Sequence, residues 1–113
     1  MKELIIETTA YDAEGIPDRG NRFLTGNGYL GVRGTLEEHG KAELAAVNLA
    51  GIYDRKGDGW REPLNAPHPF SIKLYRAGEA LTLPQAAVTA HRQWLDARHG
   101  VHHRDTLFAC GVR

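Results

Sequence analysis

Short runs of alternating apolar and polar residues are the most regular pattern along the chain. In residues 70–76, Phe70, Ile72 and Leu74 point one way and the intervening residues point the other, which is the pattern of a half-buried strand. An apolar run predicts a first strand at residues 3–8. Thirteen glycines and five prolines are spread along the chain, so long helices are not expected. The sequence therefore predicts a mainly β fold of short antiparallel strands with at most short helices.

Turn residues predict two hairpins. The sequence Ala-Gly-Glu at 77–79 separates the strand above from the apolar residues 80–83. A longer pair of strands, 86–95 and 101–109, flanks a turn at 96–100 that ends in glycine. Apolar runs joined by such turn residues indicate antiparallel neighbours.

Three other segments are less regular. Residues 10–21 are rich in Gly, Asp and Pro and predict a polar loop. Residues 60–69 contain three prolines and predict a rigid loop. In residues 41–53 the Ala-rich first half fits a short helix and the second half, from residue 47, fits a strand, and the periodicity does not decide between them.

Composition and charge narrow the functional classes. The 113 residues are 42% hydrophobic, and fourteen basic residues balance fourteen acidic ones. Because no segment concentrates Lys and Arg, electrostatic capture of nucleic acid or of an acidic membrane is not expected. The N-terminal residues resemble neither a signal peptide nor a membrane span, and the lone Cys110 cannot form a disulfide within the chain. We therefore predict a cytoplasmic protein with no nucleic-acid or membrane partner.

Residues 26–31, Gly-Asn-Gly-Tyr-Leu-Gly, match the G-x-G-x-x-G spacing of dinucleotide-binding turns. That fingerprint needs a buried strand before the first glycine and a helix that starts inside the motif. The preceding residues 21–25 are too short and polar for such a strand, and Gly34 and Gly40 interrupt the segment after the motif, where the helix would have to run. Nucleotide binding is therefore not favoured, and no cofactor is expected.

With a period of two, the stretch GYLGVRG instead fits a β-strand. Leu30 and Val32 then face a core, while Tyr29, Gly31 and Arg33 share the opposite face. Gly31 leaves a gap between an aromatic ring and a guanidinium. Such a gap allows another backbone or a ligand to approach closely.

Two roles fit Arg33. It can form an ion pair with Glu37 or Glu38, which is the role we favour. Alternatively, it contacts a ligand directly. The surrounding glycines supply turns with positive φ in either case.

Four sequence blocks, taken in order, indicate the family that the chain resembles. They are FLTGNGYLGVRGTLEE at 23–38, LAGIYD at 49–54, WREPLNAP at 60–67, and LDARHGV at 95–101 followed by Arg104. In this order and spacing they closely resemble the N-terminal signature of glycoside hydrolase family 65, which includes the maltose, trehalose, kojibiose and nigerose phosphorylases. Four blocks in order are far more specific than any one of them.

The resemblance implies an N-terminal β-supersandwich related to galactose-mutarotase-like domains, of which residues 1–113 form the front part. An (α/α)6 barrel and its catalytic glutamate are expected outside this chain. Family phosphorylases cleave an α-glucosidic bond with inversion: the glutamate protonates the leaving oxygen while inorganic phosphate, as co-substrate, attacks the anomeric carbon. Because phosphate is already an anion, no base is needed to activate water.

Four residues are candidates for sugar contact: Arg33, Tyr53, Trp60 and Asn65. Tyr53 and Trp60, like Trp94, can stack on a sugar ring, but packing in the core of a sandwich is the commoner role of such aromatics. Asn65 lies in the proline-rich loop, and ordered loops on a rigid scaffold often carry function. No residue of this segment is assigned a catalytic role.

Three histidines, His99, His102 and His103, lie close together in the sequence. Adjacent residues of a strand point to opposite faces, so His102 and His103 are poorly placed to share a metal ion. No metal site is therefore predicted.

The favoured function is a non-catalytic β-sandwich segment of an inverting α-glucoside phosphorylase or hydrolase that acts on disaccharides. The segment supports the catalytic barrel and shapes its sugar site, and alone it is expected to be inactive. The alternative is a free-standing carbohydrate-binding β-sandwich. Unpaired strand edges also predict self-association, so a homo-oligomer is expected.

Overall fold

The structure, a computed structural model, describes residues 4–82 and 87–113. In these ranges it has one short helix and nine strands, all of whose pairings are antiparallel, so the predicted mainly β fold is confirmed. No helix in these ranges is long and apolar enough to cross a membrane. Residues 3, 83 and 86, which end three predicted strands, lie outside the described residues. The elements are β1 Ile5–Thr8, α1 Ile16–Arg22, β2 Thr25–Gly26, β3 Leu30–Val32, β4 Val47–Arg55, β5 Arg61–Asn65, β6 Tyr75–Arg76, β7 Glu79–Ala80, β8 Val88–Asp96 and β9 Val101–Phe108.

The first sheet has the strand order β1-β8-β9. β8 and β9 form the predicted long hairpin, in which Asp96 pairs with Val101 next to the turn. Gly100 closes this turn with a φ of 66°, a value that favours glycine. Oδ1 of Asp96 accepts hydrogen bonds from two backbone amides of the turn, at 3.0 and 3.2 Å.

The second sheet has the order β2-β3-β4-β5 and contains the glycine-rich stretch. Asn27 turns the chain between β2 and β3, because its Oδ1 accepts hydrogen bonds from the amides of Tyr29 and Leu30 at 3.0 and 2.9 Å. Tyr29 is exposed, but residues 30–33 are all partly buried, so burial does not follow the predicted alternation. The stretch therefore forms a turn and a short strand.

The β6–β7 hairpin confirms the predicted turn. Ala77 and Gly78 have φ values of 50° and 84°, which place both residues in the left-handed region that tight hairpins require. Each strand of this hairpin has only two residues.

The strand predicted at residues 70–76 is wrong for most of its length. Residues 71–74 have no regular structure, and Phe70, Ile72 and Leu74 are each more than half exposed. The amide of Ile72 donates to the backbone carbonyl of Glu37 at 3.0 Å, so this backbone bonds to a loop. An alternating pattern shows only which side chains are apolar. A β-strand also needs a neighbouring strand as the partner of its backbone hydrogen bonds.

Three other segments differ from the predictions. Residues 16–21 of the predicted polar loop lie in α1, which Pro17 favours because it occupies the first turn, where no backbone N–H is needed. The predicted loop at 60–69 begins with β5, which pairs with β4. The Ala-rich residues 41–44 form turns, and Leu44 has a φ of 60°. The second half of that stretch is confirmed as a strand, β4.

The core lies where the segment after β3 meets the β8–β9 hairpin. Phe23 is fully buried and its ring stacks on His102 of β9, with 5.3 Å between the ring centroids. Gln93 of β8 is also buried, and its Nε2 donates to the backbone carbonyl of Gly34 at 3.1 Å. These contacts join Phe23, just before β2, and Gly34, just after β3, to the first sheet. The buried apolar residues are Ile16, Phe23, Leu36, Ala45, Val47, Leu81, Leu95 and Phe108.

Candidate functional site

A shallow groove of about 330 Å³ lies on the second sheet at the glycine-rich turn. Two exposed aromatic side chains line it, Tyr29 at 81% and Tyr53 at 58% exposure. Gly31 also lines it, and a Cβ atom added to Gly31 would meet no atom within 4 Å. All the lining residues are uncharged: Gly26, Gly28, Tyr29, Leu30, Gly31, Asn48, Leu49, Ala50, Tyr53 and Pro63. A neutral groove with aromatic walls suits a neutral, hydroxyl-rich ligand better than an ionic one.

The β4–β5 hairpin carries three of the four predicted site residues. Tyr53 of β4 pairs with Pro63 of β5, and Trp60 lies just before β5 with 91% of its surface exposed. The expectation that Tyr53 and Trp60 pack in the core is therefore wrong for this chain. Trp94 differs, because it is partly buried and stacks on His103 with 4.8 Å between the ring centroids.

Asn65 at the end of β5 fixes the start of β4. Its Oδ1 accepts a hydrogen bond from the amide of Val47 at 2.9 Å, and its Nδ2 donates to the carbonyl of Ala45 at 3.3 Å. Because both ends of the amide group bond to the backbone, the side chain has a structural role at this edge of the sheet. A direct sugar contact by Asn65 stays a prediction.

Arg33 does not form the predicted ion pair with Glu37 or Glu38. Its guanidinium donates to the backbone carbonyls of Pro17 and Leu44, at 2.6 and 3.3 Å. Gly20 of α1 makes room for it, since a Cβ atom there would lie 2.7 Å from Nε of Arg33. Arg33 thus joins α1 to the loop before β4 and does not line the groove.

The partner of both glutamates is Arg104 of β9, and sequence reasoning missed this cluster. Nη1 of Arg104 lies 2.7 Å from Glu37 and 2.5 Å from Glu38, and Nη2 lies 2.9 Å from Glu38. The hydroxyl of Tyr11 donates to Glu38 at 3.3 Å. The side chain of Glu38 is only 6% exposed and that of Arg104 15%. The sequence did single out Arg104, as the end of the fourth block that resembles the family. It did not indicate that Glu37 and Glu38 are the partners of Arg104.

Burial and the neighbouring charges shift the pKa values of Arg104, Glu37 and Tyr11 in this cluster. Burial opposes the charge on Arg104, but its hydrogen bonds and ion pairs with Glu38 and Glu37 outweigh burial and raise its pKa. Burial also opposes ionisation of Glu37, yet Arg104 holds the pKa of that carboxyl below its usual range. Burial and the neighbouring Glu38 raise the pKa of Tyr11 to about 12.

A cleft of about 290 Å³ lies beside this cluster, lined by Glu37, Glu38, Arg104 and several apolar side chains. Glu37 is ionised at neutral pH and both glutamates are already bonded to Arg104. A general acid for glycosidic cleavage must instead carry a proton near neutral pH. The cluster therefore suits structural cross-linking between the loop at 37–38 and β9.

Metal ligation has little support in the described part of the chain. Within residues 4–82 and 87–113, no group of three or more His, Cys, Asp or Glu side chains could hold a metal ion. His102 stacks on Phe23 and His103 on Trp94, so the two imidazoles have different neighbours, as expected for adjacent strand residues.

Comparisons with known proteins show the family of the chain. The profile of "Glycosyl hydrolase family 65, N-terminal domain" matches residues 6–110. The chain is 47% identical over 104 residues to a nigerose phosphorylase of Lachnoclostridium phytofermentans. These 104 residues are 92% of this chain and 14% of that protein. The chain therefore belongs to glycosyl hydrolase family 65 and matches its N-terminal domain.

Other relatives agree with this assignment. A kojibiose phosphorylase of Thermoanaerobacter brockii is 36% identical over 103 residues, which cover 91% of this chain and 13% of that protein. A 1,2-alpha-glucosylglycerol phosphorylase of Bacillus selenitireducens is 32% identical over 94 residues, covering 83% of this chain and 12% of that protein. The chain thus spans about one seventh or one eighth of the length of each relative.

Proposed function

We propose that this chain is the non-catalytic N-terminal part of an inverting α-glucoside phosphorylase. The observation that carries the proposal is the 47% identity to a nigerose phosphorylase over 92% of the chain, supported by the match to the family's N-terminal domain. Nigerose is accordingly the first substrate to test, and kojibiose the second. The acid that protonates the glycosidic oxygen is placed in an (α/α)6 barrel outside these 113 residues.

The chemistry of the described residues supports a non-catalytic role. Inverting cleavage with phosphate needs one protonated carboxylic acid next to the leaving oxygen. The buried carboxylate of Glu38 and the half-exposed one of Glu37 are both bonded to Arg104. In the proposal this cluster braces the domain, while the groove and the β4–β5 hairpin face the rest of the enzyme.

The activity prediction separates the chain from the complete polypeptide that carries it. The complete protein is expected to release glucose 1-phosphate from nigerose only when inorganic phosphate is present, and the 113-residue chain is expected to release none. The measurement is enzymatic detection of glucose and glucose 1-phosphate with nigerose, kojibiose, maltose and trehalose. Glucose release by the complete protein without phosphate would identify a hydrolase, and turnover by the purified chain would refute its non-catalytic role.

Trp60 tests the sugar-site part of the proposal. We propose that the exposed β4–β5 hairpin borders the sugar site of the complete enzyme, so Trp60→Ala is expected to raise KM about two- to tenfold with little change in kcat. This range corresponds to the loss of an aromatic contact worth about 0.5 to 1.5 kcal/mol. Steady-state kinetics of phosphorolysis measure it. Tyr75→Ala is the matched control, because Tyr75 is an exposed aromatic on a different sheet.

Two outcomes would contradict the role of Trp60. One is a KM unchanged within error, and the other is an equal rise in KM for Tyr75→Ala, which would point to a general loss of structure. Cytoplasmic location and homo-oligomeric assembly stay predictions.

The alternative is a free-standing carbohydrate-binding module, and the uncharged groove with Tyr29 and Tyr53 favours it. In that case the chain alone binds α-glucosides, and Tyr53→Ala abolishes binding. Calorimetric titration of the chain with nigerose distinguishes the two functions, because the phosphorylase proposal expects no binding by the chain alone.

A further inference from the structure

Residues 34–39, which we call the latch segment, lie against the β8–β9 hairpin and are held in part by histidines. Three residues of the segment are buried: Gly34, Leu36 and His39. Arg104 grips its middle through the two glutamates described above. Two further contacts involve histidines: at the start, the carbonyl of Gly34 is linked through Gln93 to His102, and at the end Leu36 bonds to His39.

The protonation state of His102 follows from the geometry around Gln93. Nε2 of Gln93 lies 3.1 Å from the carbonyl oxygen of Gly34 and 3.0 Å from Nε2 of His102. A backbone carbonyl can only accept, so the amide nitrogen of Gln93 must face it. The second hydrogen of that amide then points to His102. Nε2 of His102 is therefore the unprotonated acceptor, and the proton of the neutral ring lies on Nδ1.

The protonation state of His39 is also fixed, because its hydrogen-bond partner is a backbone amide, which can only donate. The backbone amide of Leu36 donates to Nδ1 of His39 at 3.0 Å, and the amide of His39 donates back to the carbonyl of Leu36 at 3.0 Å. Nδ1 must therefore be unprotonated, and the proton of the neutral ring lies on Nε2. This reciprocal pair closes the turn at the end of the latch segment.

We propose that the latch segment is an acid-sensitive contact: neutral His102 holds its start against the β8–β9 hairpin through Gln93, neutral His39 closes the turn at its end, and a proton on either acceptor nitrogen loosens the segment. Protonation of His102 sets an N–H against the amide of Gln93, and protonation of His39 sets an N–H against the amide of Leu36. Each change replaces a hydrogen bond with two facing donors. The inference concerns conformation and does not depend on the phosphorylase activity.

The charged surroundings of both rings are mixed. Glu38, Glu43, Arg104 and Arg19 influence His39, and Glu37, His103 and Arg104 influence His102. Burial is the largest influence on each ring, and it lowers the pKa of His39 and of His102 below the ordinary value of 6.5. The released segment therefore takes up a proton before the latched one does.

The direction of the pH effect follows from this order. The latch has full strength above about pH 6.5 and weakens progressively as the pH falls below that value. The pair of Arg104 with Glu37 responds later, because the pKa of Glu37 is lowered from 4.5 and its contribution is lost only as the pH falls below that value. The interval between about pH 6.5 and 4.5 therefore reports the imidazoles and not the carboxylates.

The buried His91 lies near the latch and makes a side-chain hydrogen bond with Gln93. Its Nδ1 lies 2.7 Å from the hydroxyl of Thr106, which accepts a hydrogen bond from Arg104 at 2.8 Å. A hydroxyl can donate or accept, so this contact does not fix which nitrogen of His91 carries the proton. The amide of Leu36 reports the latch without His91, because its partner is His39.

The test uses nuclear magnetic resonance of the wild-type protein and one double variant. At pH 7.5 the imidazole nitrogen shifts should place the ring proton of His102 on Nδ1 and that of His39 on Nε2. On lowering the pH to 5.5, hydrogen exchange of the Leu36 amide should accelerate several-fold beyond its intrinsic pH dependence, because the released segment binds the proton more readily than the latched one.

The double variant His39→Asn/His102→Gln keeps an acceptor near Nδ1 of residue 39 and near Nε2 of residue 102 but cannot titrate. It should keep its Leu36 protection at pH 5.5, whereas the control His103→Gln, on the other face of β9, should behave as the wild type. Either imidazole in the opposite tautomer, or unchanged Leu36 protection in the wild type at pH 5.5, would overturn the proposal. The tautomer measurement needs only the wild type, so it decides the matter even where the variant does not fold.

Discussion

Replacing Arg104 with leucine is expected to lower the free energy of unfolding by about 3 to 5 kcal/mol. The substitution removes the partner of Glu38, whose side chain is only 6% exposed, and of the half-exposed Glu37. A buried carboxylate without its cation is costly, because neither water nor another charge replaces the lost hydrogen bonds. Urea denaturation of the purified protein at pH 7 measures the change.

Arg92→Leu is the matched control for this experiment. Arg92 pairs with Glu7 at 2.7 Å, but both side chains are 53% exposed, so its loss should cost less than about 1 kcal/mol. Equal losses for the two variants would show that burial does not strengthen the Arg104 cluster.

This cluster marks a limit of prediction from the sequence. Spacing along the chain favoured Arg33 as the partner of Glu37 and Glu38, because these residues are close in sequence. The true partner, Arg104, is 66 residues from Glu38, and only the packing of β9 against the loop at 37–38 brings them together. Local spacing contains no information about such a pairing.

Turns were predictable because they depend on a few neighbouring residues. Ala77 and Gly78 adopt positive φ, and Asp96 bonds the amides of its own turn, so both hairpin turns follow from local chemistry. Strand length was not predictable in the same way. Residues 70–74 have the alternation of a strand, yet the amide of Ile72 bonds to the carbonyl of Glu37 in a loop.

Of the four residues predicted to contact sugar, only Tyr53 lines the groove, and the sugar contacts themselves stay predictions. Tyr53 and Trp60 were proposed for sugar contact with core packing as the commoner role, and both are exposed. Exposure of an aromatic depends on whether another element covers it, and hydrophobicity alone does not contain that information. The resemblance in four ordered blocks identified the family correctly, because it used many residues at once.

Replacing Gly34 with alanine is expected to cost about 3 kcal/mol, at the upper end of the cost of overpacking a core. A Cβ atom at Gly34 would clash with Cβ of Phe23 and would lie 2.5 Å from the backbone carbon and oxygen of Phe23. Backbone atoms cannot rotate away as a side-chain terminus can, and Phe23 is fully buried against His102. Relief of the clash therefore requires the segment after β3 to move away from the core.

Gly31→Ala is the control from the same glycine-rich stretch, and it should stay within about 1 kcal/mol of the wild type. Its Cβ atom would meet nothing within 4 Å. The pair of variants also separates the two interpretations of GNGYLGVRG. In a dinucleotide-binding turn Gly31 is the third glycine of the fingerprint, needed for close packing of a helix on a strand, and Gly34 lies outside it. In the β-strand structure Gly34 is the residue that cannot bear a side chain. Denaturation midpoints that fall further for Gly31→Ala than for Gly34→Ala would contradict the packing of Phe23 against Gly34.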